Sequence, residues 1–212
     1  MSILRLLASL LGRKDRPPDH RSMTAPRESY GHGHVSPDSP IQIGNVSTTV
    51  SVDSDVLGRY LNTGCDYLDQ GHFDSAVGEF TKAIEIHPRS HSAFLNRGLA
   101  HMRNGDFDAA IRDLNKAIRL NRDSADGYSN LGLVYQEMGD YDRALEQFGI
   151  AIDRDRHHAV SLLNRGTAFL KKGQADQARA DWIRVLKIDP CGAVGQAAQG
   201  NLSKLQRTQA GE

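Results

Sequence analysis

A 34-residue period runs through this chain without a slip. Gly64, Gly98, Gly132 and Gly166 keep the interval, and so do Gly71, Gly105, Gly139 and Gly173. Ala76, Ala110, Ala144 and Ala178 keep it, as do Asp74, Asp108, Asp142 and Asp176. Asn62, Asn96, Asn130 and Asn164 form a further column. Large residues fill two more: Tyr60, Phe94, Tyr128, Leu162, and Phe80, Leu114, Phe148, Trp182. Tandem copies in one register bury their apolar faces against each other and not in a single globular core. Such an array presents a long surface, and its default task is to hold another chain.

One copy, residues 91–124, reads as two helices. Phe94, Leu95, Leu99 and Met102 fall at helical spacing, and Gly105 breaks the run as a C-terminal cap. Asp108 is expected to N-cap the second helix, whose stripe is Ala110, Ile111, Leu114, Ala117 and Ile118. Gly98 and Ala110 let the two backbones approach, with Phe94 and Leu114 filling the space beside them. A larger side chain at Gly98 should overpack that contact and cost roughly 1–3 kcal/mol. Glycine inside a helix itself costs about 1 kcal/mol against alanine, so close approach outweighs propensity in every copy.

The pattern Phe94, Gly98, Gly105, Phe107, Ala110, Leu114, Ala117 resembles the tetratricopeptide repeat, with Pro88 and Pro190 where that family often ends a repeat. The resemblance covers residues 57–192. It implies an all-α, right-handed superhelical solenoid with repeats at 57–90, 91–124, 125–158 and 159–192. Ala193, Val194, Ala197, Ala198, Leu202 and Leu205 then suit a capping helix within 193–212. It further implies an adaptor that binds a peptide or partner protein and does no catalysis.

By the same resemblance, the first helix of each repeat lines a concave groove. That places Leu61, Leu95, Ser129 and Leu163 there, with the Asn column, Cys65, Leu99, Leu133, Thr167, Leu68, Met102, Gln136 and Leu170. The binding set is Asn62, Asn96, Asn130, Asn164, Leu61, Leu95, Leu99, Met102, Leu133 and Leu163. An amide donates and accepts at once, so a ladder of them can grip a peptide backbone. The competing reading is that these amides hydrogen-bond between neighbouring helices, and that about half of the apolar set packs between repeats. Some relatives clamp acidic chaperone tails with Lys, Arg and Asn side chains. Here Leu61, Cys65, Asp126 and Asn130 stand at those places and only Asn96 matches, which disfavours that ligand.

Charge and composition exclude other classes. The chain has 26 basic and 26 acidic side chains and no net charge, so no basic excess draws it to nucleic acid. Cys65 and Cys191 lie in the first and last repeats, too far apart in an extended array to pair, which fits a reducing, cytoplasmic setting. No nucleotide-binding loop, hydrolase elbow, zincin motif or Cys-x-x-Cys appears, so no catalytic residue, cofactor or metal is expected. His20, His32 and His34 lack the further ligands of a metal site. His101 reads as packing, and His157 and His158 as solvated.

Residues 1–56 read as a disordered tail, an amphipathic segment at 2–14 followed by a Pro-, Ser- and Gly-containing linker. Ile3, Leu4, Leu6, Leu7, Leu10 and Leu11 share one helical face, and the first 22 residues carry five basic and two acidic side chains. The segment is too short to span a bilayer. It is either inert, or a peripheral membrane anchor of an envelope assembly factor, or a ligand for a protein groove, this one included. A third role for the whole chain is that of a non-catalytic subunit recruiting substrate to an enzyme. Residues 41–52 have strand-like composition, with Thr48, Thr49 and Val50.

Overall fold

The structure, a computed structural model, describes residues 47–210, with side chains from 55 to 209. The apolar segment at 2–14, the three tail histidines and the linker up to 46 lie outside the described residues. Helices follow one another without a strand among the described residues. They are α1 (Ser47–Gln70), α2 (Phe73–Ile86), α3 (His91–Arg103), α4 (Phe107–Leu120) and α5 (Ala125–Glu137). Then come α6 (Tyr141–Arg154), α7 (Ala159–Lys171), α8 (Ala175–Ile188) and α9 (Ala193–Ala210). The closest packing is within the pairs α1–α2, α3–α4, α5–α6 and α7–α8, and each pair then packs on the next. The first helices of successive pairs also touch, α1 on α3, α3 on α5 and α5 on α7. The fold is thus an all-α solenoid.

Each pair is closed by one turn design. Gly71, Gly105, Gly139 and Gly173 have φ between +76° and +84°, the left-handed region where a Cβ is strained. The next amide then reaches back over the helix end. His72 N donates to Tyr67 O, Asp106 N to His101 O, Asp140 N to Tyr135 O and Gln174 N to Phe169 O, each at 2.9 Å. The N-cap of α4 is Asp106, whose Oδ1 accepts from Ala109 N at 3.1 Å. Asp108 therefore sits in the first turn, where its charge favours the helix N-terminus without capping it. Asp140 caps α6 in the same way.

Helix α1 begins at Ser47, so residues 47–52 are helical despite their strand-like composition. Extending a helix that is already nucleated is easy, and propensity is a weak prior beside it.

Phe80, Phe148, Leu114 and Trp182 are buried to within 1% and sit over the helical glycines. A Cβ on Gly132 would lie 2.7 Å from the Phe148 ring, and one on Gly98 would lie 2.8 Å from Leu114 Cγ. Gly64 lies under Phe80 and Gly166 under Trp182 in the same way. Ala76, Ala110, Ala144 and Ala178 are fully buried opposite them. The core divides into two clusters. One joins the first three pairs, and the other joins Ile152, Leu162, Leu163, Trp182 and Val185 to Val194, Ala198, Leu202 and Leu205 of α9. Asp189 ties α8 to α9 by accepting from Gly192 N at 2.7 Å and Gly195 N at 3.1 Å.

The first pair differs from the rest on its outer face. Where α3, α5 and α7 bury Ala93, Gly127 and Ser161, and then Ala100, Val134 and Ala168, α1 exposes Arg59 and Asp66.

Candidate functional site

The first helices stand side by side, so their Asn column falls along the seams between them. Asn96, Asn130 and Asn164 are buried, whereas Asn62 is exposed. The helix before each one makes the difference, because α1 packs on α3 but nothing described packs in front of α1. Asn96 Nδ2 lies 3.8 Å from Cys65 Sγ across the first seam, a weak sulfur contact. The same offset of 31 residues carries Asn130 to Leu99 and Asn164 to Leu133, which have nothing to offer an amide. Accordingly neither Nδ2 nor Oδ1 of Asn130 has a partner within the described residues, and Nδ2 of Asn164 has none. Ser129 Oγ and Gln136 Oε1 are also buried without a partner. Leaving a buried polar group unmatched costs about 1–3 kcal/mol, so these atoms are a concentrated unmet demand on one face.

The apolar residues expected to line the groove have a different setting. Leu95, Leu99, Met102, Leu133 and Leu163 are all buried, and only Leu61 is half-exposed. The accessible side chains along this face are Leu61, Asn62, Cys65, Gln136, Thr167 and Leu170. Burial pushes the Cys65 thiol up to about 11, with Asp69 and Asp66 adding repulsion, so it stays a thiol near neutrality.

Two ion pairs hold the first helices in place, and the sequence reading missed both. Arg97 Nε and Nη2 donate to Asp113 at 2.7 and 2.9 Å, and Arg165 repeats this with Asp181 at 2.7 and 2.8 Å. Arg97 Nη1 also reaches Thr81 Oγ1 of the previous pair at 3.0 Å. Each arginine directly follows a column asparagine, but Asn130, followed by Leu131, is buried without such a pair, so the seam setting does not depend on it. The recurring signal was an Arg and an Asp 16 residues apart, present only in alternate repeats.

Asp126, His158 and Ser161 form a chain of contacts that a sequence scan does not find. His158 Nε2 lies 2.9 Å from Asp126 Oδ1, and Nδ1 lies 2.7 Å from Ser161 Oγ. The order imitates a hydrolase triad, but Ser161 is fully buried and presents no surface to a substrate. Ser161 N donates to Nδ1, so the ring caps α7 while tying it back to α5. His158 is thus buried where solvation was expected, because its ring takes the capping place that Ser90 and Ser124 hold on α3 and α5. His157 is exposed.

The family model for the tetratricopeptide repeat matches residues 61–126 and again 129–193. The chain belongs to the tetratricopeptide-repeat family. Each match spans two repeats, the same doubling seen in the Arg–Asp pairs. Two crystal structures of MamA are similar at 29% identity, with TM-scores of 0.54 and 0.56. They cover 66% and 67% of this chain and 77% and 83% of those chains. A Pseudomonas aeruginosa pilF structure matches at 21% identity and TM-score 0.64, over 74% of this chain and 72% of that one. The first tetratricopeptide domain of Spaghetti (RPAP3), bound to the HSP90 peptide SRMEEVD, matches at 20% identity and TM-score 0.53. That match covers 57% of this chain and 95% of that domain's. No curated protein is similar enough in sequence to match. Fold and family together support a protein-interaction scaffold.

Proposed function

We propose that this tetratricopeptide-repeat protein binds an extended segment of a partner protein along its first helices, with Asn130 and Asn164 gripping the partner's backbone. The observation that carries this is the Asn130 amide, buried with both polar atoms unpartnered. A peptide bond supplies the complement, one N–H and one C=O. Asn130 is 1% exposed and Asn164 5%, so the bound segment reaches them only as the seam side chains give way, and each contact contributes about 0.5–1.5 kcal/mol net. Selectivity falls to the accessible Leu61, Gln136, Thr167 and Leu170, since the buried leucines hold the helices together. An acidic chaperone tail fits poorly, because Asp126 and Asn130 occupy places where the clamp needs cations.

The test compares the wild-type protein with Asn130→Ala/Asn164→Ala in a pull-down, followed by titration of the captured partner. The double variant should weaken binding by about 1–3 kcal/mol, roughly 5- to 150-fold. A folded variant that binds equally well removes the amides from the mechanism. Asn130→Leu separates the two readings of the column. It should raise unfolding stability by about 1–3 kcal/mol if the amide is idle in the free protein, and lower it if the amide bonds within the fold.

A further inference from the structure

The face formed by the first helices ends at α1, which carries more than the reading above uses. On α1, Leu57, Leu61 and Cys65 share one helical stripe with Leu68 and remain half-exposed, whereas Leu95, Leu99 and Leu163 of later repeats are buried. Asp69 flanks that stripe, and Asp55, Asn62 and Asp66 lie on the adjoining face, up to about 100° further round the helix; all are exposed. None of these three carboxylates enters a salt bridge among the described residues. Over its whole length α1 holds Asp53, Asp55, Asp66 and Asp69 against Arg59 alone, a net charge of 1 − 4 = −3.

The chain holds the complement of this surface. Residues 1–22 carry Arg5, Arg13, Lys14, Arg16 and Arg21 against Asp15 and Asp19, a net charge of 5 − 2 = +3. They also carry Ile3, Leu4, Leu6, Leu7, Leu10 and Leu11. We infer that this amino-terminal segment docks on the half-exposed stripe of α1, its leucines against Leu57, Leu61 and Cys65 and its cations against Asp55, Asp66 and Asp69.

The tether permits it. About 30 residues separate Arg16 from Ser47, a length that reaches at most roughly 100 Å. Leu61 lies about 21 Å along α1 from Ser47 at the helical rise. A tethered ligand is present at about millimolar effective concentration, so even a weak contact is populated. The contact does not depend on the first helices binding a peptide elsewhere.

Lys14 is the one lysine among residues 1–22, which makes zero-length carbodiimide cross-linking of the full chain a direct test. Docking requires that Lys14 link within the same molecule to Asp66 or Asp69 several-fold more than to Asp142 or Asp176, which are exposed elsewhere. The preference should disappear in Leu6→Ser/Leu7→Ser/Leu10→Ser and in Leu57→Ser/Leu61→Ser, which leave every cross-linkable acid in place. It should also fade at about 1 M salt, where the Debye length falls to about 3 Å. Links spread evenly over the exposed acids, or formed only between molecules, overturn the docking. So does capture of the segment by anionic vesicles with no prior Lys14–Asp66 or Lys14–Asp69 link, which assigns it to a lipid surface.

Discussion

Gly132 and Gly139 are seven positions apart and are glycine for opposite reasons. At Gly132 the backbone is helical and the Phe148 ring fills the place of a Cβ, 2.7 Å away. At Gly139 nothing lies within 4 Å, but φ is +81°. Gly132→Ala should therefore lose about 1–3 kcal/mol to overpacking, less the roughly 1 kcal/mol that alanine gains in a helix. Gly139→Ala should lose about 1–2 kcal/mol to the left-handed backbone alone. Urea midpoints give both losses, and Phe148→Leu should relieve the first and leave the second untouched. Failure of that rescue would show that the ring is not what excludes the side chain. Both glycine columns were legible, since only a break or a close approach keeps glycine in every copy. The setting of the Asn column was not. Its spacing places it on a face, but its burial depends on how far each helix leans over the next.

At the scale of elements, helix order and the turn glycines could be read from period and punctuation, whereas the polar ties between helices could not. Asp106 and Asp108 are both acidic and near the start of α4, and a shift of two residues in the start decides which one caps it. The Arg165–Asp181 pair joins residues in different helices, and only the backbone course brings them together. Asp181 is 4% exposed and Arg165 more open, so Asp181→Ala leaves a largely desolvated cation and should cost about 3 kcal/mol. Arg165→Met/Asp181→Leu should recover most of that in thermal unfolding, and a double variant as weak as the single one would contradict this account. A second series runs along the turn edge. Asn104 Nδ2 bonds Asp74 Oδ1 at 2.9 Å, and Lys172 bonds Asp142 in the corresponding place. Between them Met138 stands where the partner of Asp108 would be, and it is 43% exposed. Met138→Lys should restore the missing tie for a gain of about 0.2–1 kcal/mol, as an exposed pair allows. A double-mutant cycle with Asp108→Asn measures it, and zero coupling would mean that the register does not extend to this seam.

At the scale of the molecule, a solenoid is an open stack whose two end faces decide whether it stops. The interior faces are apolar and small, as at Ala93, Ala100, Val134 and Ala168. The first face replaces such residues with Arg59 and Asp66, and the last is covered by α9. The outward side of α9 is itself polar, with Gln196, Gln199, Lys204 and Arg207 exposed. A charged end resists stacking because burying its unpaired charges costs several kcal/mol, more than the small apolar area of one repeat face returns. The two seals should therefore fail differently. Deleting residues 193–212 uncovers Val185 and the edge of Trp182, lowers the melting temperature and produces limited tail-to-tail association. Arg59→Ala/Asp66→Val alone gives one apolar end and nothing complementary to meet it. Combining the two makes each molecule's first face fit another's last, a heterologous contact that does not close on itself, so open filaments should grow. Sedimentation velocity over a range of concentrations distinguishes these cases. Mass should rise without limit only in the combined variant. If it stays constant there, the polar first face is not what ends the stack.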